Sequence, residues 1–305
     1  MEALDWLRWH FTVSGVETYW FLPPLVMLCI SSLTSLGGVS GAFILLPFQM
    51  SVLGYTAPGV SATNFVYNIV SIPVGVLRHI RSGRLCWPLF WLLMGSTLPG
   101  VFLGYYIRLV YLPQPGRFKI FVGVVLAYLG LRTLWSACQE ARDGNTAPKA
   151  PPSGRITGGT ISLTRGTVVF GEQTYSYPTV PLAVISLAVG VIGGAYGIGG
   201  GALMAPFIIS VLNLPPYVVS GATLFSTWCT SVVAALFYAF GPTFGTQGST
   251  SPDWLLGSLF GAGGLLGIYL GARLQQFVPA LVIKIILAAA VIFVAFRYLY
   301  PLVSG

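Results

Sequence analysis

The stretch "GAYGIGGGALMAPF", residues 194–207, carries five glycines inside an otherwise apolar run. With Gly193 just before it, six glycines fall within 193–201, three of them consecutive. Glycine in a helix interior costs about 1 kcal/mol relative to alanine, and this density exceeds what one close-packing face would use. The stretch therefore reads as a break in a helix. Its meaning depends on its surroundings, because unwound backbone at membrane depth is tolerated only inside protein or along a wet cavity.

Those surroundings are apolar throughout. The chain has 305 residues, 55% of them hydrophobic and 7% charged, whereas a soluble domain carries roughly 25% charged residues. Mostly uncharged runs cover 19–53, 59–77, 85–107, 118–139, 179–214, 217–240, 254–272 and 279–300. Each is near or above the ~20 residues of a membrane-crossing helix, and none shows the strict alternation of barrel strands. The expected fold is an all-α polytopic membrane protein of about eight hydrophobic segments. Four regions follow: an interfacial segment at 1–22, a first membrane repeat at 23–138, a polar link at 139–178 and a second membrane repeat at 179–305. In the first region Leu4, Leu7 and Phe11, with Trp6, Trp9 and Trp20, suit a short helix lying at the interface. The link opens as an exposed linker, "QEARDGNTAPKAPPSG", and continues as short strands between glycine turns, a small β-hairpin cap.

The net charge of +8 arises at segment ends: Arg78, Arg81 and Arg84 in one loop, and Arg142, Lys149, Arg155 and Arg165 in the link. This is a positive-inside pattern, which puts both regions on the cytoplasmic side of the inner membrane and removes nucleic acid as a partner. Cys29, Cys86, Cys138 and Cys229 are scattered, and His10 and His79 lie far apart, so neither a metal site nor a cofactor is expected. The first 22 residues lack a basic stretch followed by a clean apolar core, so no cleavable signal peptide is expected.

The chain is written twice. "GGVSGAFILLPF" (37–48) aligns with "YGIGGGALMAPF" (196–207), matching Gly38 to Gly197, Gly41 to Gly200, Pro47 to Pro206 and Phe48 to Phe207. "VSATNF" (60–65) then matches "VSGATLF" (219–225), Trp87, Gly100 and Gly104 match Trp254, Gly267 and Gly271, and Arg132 matches Arg297. Four segments recur in order, as in many transporters, whose substrate site lies between repeats near midplane. Four full crossings per half would make the repeats parallel. A re-entrant glycine segment would leave three and invert them. The basic loop 78–84 against the uncharged-to-acidic loop 241–253 favours inversion, although Arg108, Arg117 and Lys119 would then lie outside.

A broken helix offers free N–H groups and the positive end of its dipole to an anion. Gly197, Gly199, Gly200 and Gly201 would supply one such site, and Gly37, Gly38, Ser40 and Gly41 its partner, with the Ser40 hydroxyl added. The following segments carry polar stripes at helical spacing: Thr63, Asn64, Tyr67, Asn68 and Ser71, then Thr223, Thr227, Thr230 and Ser231. Polar side chains in membrane helices face the bundle interior, so Thr63, Asn64, Asn68, Thr223 and Thr227 join the candidate substrate contacts. Arg78 and Arg81 would gather anions at the cytoplasmic mouth. No Asp or Glu occurs between Glu17 and Glu140, and the second membrane half has only Asp253. An acid-free interior suits an anionic substrate. The Gly100-x-x-x-Gly104 and Gly267-x-x-x-Gly271 pairs read as helix packing faces.

The two glycine stretches closing on Pro-Phe, each followed by a Ser/Thr helix ("VSATNF", "VSGATLF"), resemble the TauE/SafE sulfite exporter family. The resemblance spans nearly the whole chain apart from the N-terminal 20 residues and the link. The first copy departs from the second at Ser40 and Ala42, where the second has glycines. What the resemblance implies is export of a small sulfur-containing anion such as sulfite, sulfoacetate or a related organosulfonate. The expected function is a secondary transporter working by alternating access. An anion channel, or a carrier of a non-sulfur organic anion, would use the same residues. No nucleophile or metal constellation lies at membrane depth, so an enzyme is not expected. The expected partners are the small anion and the lipid bilayer, and a homo-oligomer is compatible with the sequence.

Overall fold

A computed structural model describes residues 6–36, 40–142, 154–212, 214–246, 248–274 and 280–304. The chain opens with strands β1 (Arg8–Phe11) and β2 (Val16–Tyr19), then helices α1 (Leu22–Leu36), α2 (Ala42–Ser51), α3 (Gly59–Ser71), α4 (Pro73–Arg81), α5 (Trp87–Val110) and α6 (Pro115–Arg142). Strands β3 (Ile156–Thr160), β4 (Arg165–Phe170) and β5 (Gln173–Pro178) follow, and then α7 (Thr179–Tyr196), α8 (Gly200–Val211), α9 (Pro216–Phe240), α10 (Trp254–Leu274) and α11 (Ala280–Ser304). Among the described residues, seven helical runs are long and apolar enough to cross a membrane, one of them α3 and α4 taken together. The protein is a multi-pass membrane protein.

Two expectations are corrected. The N-terminal segment is an antiparallel β-hairpin, Arg8 paired with Tyr19 and Phe11 with Val16, not an interfacial helix. Its turn ends at Gly15, whose φ of +68° a helix does not accept, and Phe11, Val16 and Thr18 point inward. Leu4 lies outside the described residues. The expected breaks are present: the runs 19–53 and 179–214 each form two helices, because the glycine stretch interrupts them. The second correction concerns the link. The link forms a three-stranded antiparallel sheet in the order β3-β4-β5, one strand more than a hairpin.

Both interrupted segments fold back on themselves. Ser186 Oγ lies 3.7 Å from Met204 Sδ, whereas a continuous helix would hold these residues ~27 Å apart along its axis. Likewise a Cβ added at Gly41 would lie 2.9 Å from Ser31 Oγ and 3.1 Å from Met27 Cε. So α8 returns beside α7, and α2 beside α1. Side chains at one end of the bundle join β1–β2, the 52–58 loop and the 241–253 loop: Ser14 bonds to Asp253, and the Gly59 N–H donates to Ser249 O at 2.9 Å. At the other end the β3–β5 sheet covers the 82–86 loop and the α8–α9 turn, through Ile156 N–H to Gly83 O and Tyr175 OH to Tyr217 OH. We call these the N-terminal face and the link face.

Glycine decides the tightest helix contacts, and those contacts cross between halves. α5 lies parallel to α7, and α1 parallel to α10. A Cβ at Gly194 would sit 2.5 Å from Val101 O, and one at Gly104 would sit 2.7 Å from Ala195 N. In the second pair a Cβ at Gly267 would sit 2.5 Å from Leu28 O. Small residues let membrane helices touch backbone to backbone, so the glycine spacing serves packing here. α6 and α11 pair antiparallel, Gly123 against Leu299 and Gly130 against Ile292. Outward from these contacts, Trp91, Leu103, Val124, Tyr128, Leu131, Trp135, Phe293 and Phe296 are exposed, as a lipid-facing surface requires.

Gly104→Leu is expected to destabilise the detergent-solubilised protein by about 1–3 kcal/mol or more, the cost of overpacking. Gly95→Leu, on the same helix with nothing within 4 Å of its added Cβ, should shift the thermal midpoint little, and a comparison of the two melting curves checks this.

Candidate functional site

The tip of the α7–α8 hairpin lies at the centre of the bundle. α7 ends at Tyr196, Gly197 takes φ +95°, Gly199 takes φ +80°, and α8 starts at Gly200. Positive φ at both positions requires glycine. Space requires it too, since a Cβ at Gly197 would sit 2.9 Å from Ser61 Cα, and one at Gly199 would sit 2.9 Å from Thr227 Cγ2.

Breaking α7 frees carbonyl groups at its C-terminal end, and side chains from α3 and α9 take them up. Ser61 Oγ donates to Ala195 O at 2.9 Å, Asn64 Nδ2 to Gly197 O at 3.1 Å, Asn68 Nδ2 to Ile198 O at 2.9 Å, and Tyr238 OH to Gly194 O at 3.2 Å. All four donors are buried.

Asn64 also joins the two hairpins, because the same Nδ2 donates to Ala42 O at 3.1 Å, at the start of α2. Tyr196 OH adds a second tie to Phe43 O at 2.8 Å. The tips of the two hairpins therefore meet, with α3 and α9 alongside. Asn64 spends its N–H groups on backbone, Asn68 divides its own between Ile198 O and the Ser231 hydroxyl, and the Oδ1 atoms of both have no partner. They position the break.

The two helix starts differ. Neither helix has a side-chain cap at its N-cap glycine, but just before α2 the Ser40 hydroxyl accepts from Ala42 N at 3.3 Å and takes up one first-turn N–H. At α8 the flanking residue is Gly199, and no side chain caps the helix. The first-turn N–H groups of an α-helix have no intrahelical acceptor, so Gly200 and Gly201 present theirs uncapped, with the positive end of the α8 dipole. Thr97 packs on Gly200, and Thr223 and Thr227 pack on Gly201.

Gly41, Thr63, Asn64, Asn68, Gly197, Gly199, Gly200, Gly201, Thr223 and Thr227 are all buried, and Ser40 is half-buried. Gly37 and Gly38 lie outside the described residues. Thr63 Oγ1 accepts from Asp253 N at 2.9 Å, on the N-terminal-face side of the tip. Thr223 and Thr227 donate to carbonyls of their own helix, Val219 and Thr223. Arg78 and Arg81 are exposed at the end of α4, on the link face and apart from the tip. Sequence reasoning overlooked Ser61, Thr97, Tyr196 and Tyr238, whose types are ordinary in membrane helices and whose partners are backbone atoms distant in sequence. It also passed over Arg108, a fully buried charge at the end of α5, which its place in an apolar run already marked.

The sequence profile of the family described as "Sulfite exporter TauE/SafE" matches residues 24–298. Relatives include the probable membrane transporter protein YunE of Bacillus subtilis (strain 168), 23% identical over 288 residues that cover 90% of this chain and 94% of the relative. A probable membrane transporter protein of Xylella fastidiosa (strain Temecula1 / ATCC 700964) is 25% identical over 274 residues, 88% of this chain and 92% of that protein. No solved structure matches the chain. The family profile covers nearly the whole membrane portion of the chain, and the chain belongs to the TauE/SafE sulfite exporter family.

Proposed function

We propose that the protein is a secondary transporter that exports a small sulfur-containing anion, such as sulfite, sulfoacetate or a related organosulfonate, across the cytoplasmic membrane by alternating access. The observation that carries this reading is the uncapped, glycine-built start of α8, buried at the meeting point of two hairpins. A backbone site of this kind takes an anion without needing a basic side chain. The family supplies the sulfur and the direction.

The helix directions support an inverted duplication. Corresponding helices in the two halves pack antiparallel: α6 with α11, and α3–α4 with α9, where Asn68 meets Ser231 and a Cβ at Gly75 would meet Leu224. α7 is long and apolar enough to cross, but α8, ~18 Å at 1.5 Å per residue, is not, and it returns beside α7. The α8–α9 turn reaches the same sheet that precedes α7, as the Tyr175–Tyr217 bond requires. Each hairpin then enters and leaves by one face, and three crossings per half invert the repeats. Arg78, Arg81, Arg84, Arg142, Arg155, Arg165, Arg273 and Lys284 lie at or near the link face, which supports its being cytoplasmic. Arg78 and Arg81 on that face gather anions at the mouth. Burial of the site residues from both faces favours a carrier with occluded intermediates over an open pore.

In proteoliposomes, sulfite or sulfoacetate uptake is expected to saturate and to be reduced by the other anion in excess. A non-saturating conductance would replace the carrier with a pore, and stabilisation of the purified protein by cations but by no anion would refute the anion site. Asn64→Leu leaves the Ala42 and Gly197 carbonyls without this donor, at about 1–3 kcal/mol for each buried group. It is expected to lower the melting temperature and to abolish transport, while Ser220→Ala, which removes only an exposed bond within α9, leaves most transport intact in the same assay.

A further inference from the structure

The last turn of α5 holds a charge that the central site leaves unused. Arg108 is fully buried. Its guanidinium lies over the Phe118 ring, 3.6 Å from the ring centroid, and its Nη1 donates to Leu112 O. Nε and Nη2 have no hydrogen-bond partner, and no salt bridge reaches Arg108 among the described residues. Its electrostatic neighbours are the phenols Tyr55 and Tyr238. The nearby Asp253 carboxylate is engaged by Ser14 and by the Leu256 N–H. An isolated cation in an apolar interior is costly, by several kcal/mol even after relaxation, so this one calls for a counter-ion.

The free atoms define what that counter-ion is. Nε and Nη2 form one edge of the guanidinium plane, the edge that grips two oxygens of a single oxyanion side by side. Phe118 covers a face of the plane, and that edge is buried without a hydrogen-bond partner. The location agrees. Because α5 runs parallel to α7, Val101 and Gly104 lie level with Gly194 and Ala195 at the hairpin tip. Arg108 is one helical turn, ~6 Å, further toward the N-terminal face. The uncapped start of α8 points the same way, since α8 runs back from the tip toward the link face. Tyr238 spans the interval, bonded to Gly194 O and near enough to Arg108 to feel its charge. Above, the 241–253 loop closes over the site through Tyr105 OH to Pro242 O at 2.7 Å and Thr246 Oγ1 to Leu109 O at 3.1 Å.

We propose that Arg108 is a second anion-recognition site on the transport path, whose Nε–Nη2 edge takes two oxygens of the oxyanion between the α8 start and the N-terminal face. The proposal rests on the anion-transport reading and names the residue that reading lacked. The arriving oxyanion supplies the charge that no protein group gives the guanidinium among the described residues. The 241–253 loop must then lift to release it.

The test compares Arg108→Lys and Arg108→Met with the parent protein, in thermal unfolding with and without sulfite and methanesulfonate and in anion exchange by proteoliposomes. Arg108→Met removes an unpaired buried charge, so its anion-free midpoint should equal or exceed the parent's, while its anion-induced rise disappears and exchange falls at least 100-fold. Arg108→Lys keeps the charge but loses the fork, so its half-saturation concentration should rise about tenfold or more with a maximal rate within a few-fold. If Arg108→Met does not fold, Arg108→Lys decides alone. Parental half-saturation and an undiminished anion-induced rise in the variants overturn the Arg108 assignment and leave the transporter reading standing. Absence of any anion response in the parent protein overturns both.

Discussion

Backbone carbonyls freed in a dry interior must find donors, and the rest of this structure is arranged around that need. An unsatisfied polar group away from water costs several kcal/mol, and the break after α7 frees a cluster of them together. Ser61, Asn64, Asn68 and Tyr238 answer with side-chain donors from two different helices. Those bonds fix α3 and α9 relative to the tip. Asn64, by reaching Ala42 as well, fixes the opposite hairpin to the same point. The polar stripes are therefore first a means of keeping a broken helix inside a membrane. Their bonds also leave the donors of the α8 start uncommitted by side chains.

The two halves use one device unequally. Ser40 takes up one first-turn N–H of α2 with its hydroxyl, whereas Gly199 leaves the start of α8 open. A helix start with one N–H already taken up has less to offer a ligand, so on the anion-transport proposal the second hairpin is the stronger cradle and the first its support. Arg108, the one fully buried arginine among the described residues, lies on the side toward which the α8 start points. Charge and backbone dipole thus act on the same region from two elements, α5 and α8, that Gly200 packing on Thr97 holds in register.

Much of this was legible in the residues. Low charge density and long apolar runs gave the polytopic helical class, and three consecutive glycines gave the break. The spacing of Thr63, Asn64 and Asn68 marked a buried face. What the sequence concealed has physical causes. Whether a broken segment continues or folds back depends on contacts such as Ser186 with Met204, which follow from no local pattern. The N-terminal residues have a helix-like spread of tryptophans, yet the turn at Gly15 and the inward alternation of Phe11, Val16 and Thr18 impose a hairpin. Asn64 and Asn68 were legible as polar and interior, but their service to backbone atoms 130 residues away was not. Arg108 was visible as a charge, while its missing partner is a fact of three dimensions.

The crossed pairing of α1 with α10 and of α7 with α5 has a consequence for how the protein is made. Helix α1 enters the bilayer early in synthesis, yet the glycine face that it packs against is not translated until Trp254 and beyond. Until then the first hairpin lacks its lateral neighbour, and its tie to Tyr196 also waits until the second half has begun. Neither half can complete its interior alone. Contacts this distant in sequence slow folding, and a ribosome that stops short leaves a chain whose glycine grooves stand open to lipid. Such a fragment is one that a membrane protease can recognise. Completion of both copies is thus what closes the glycine grooves of each.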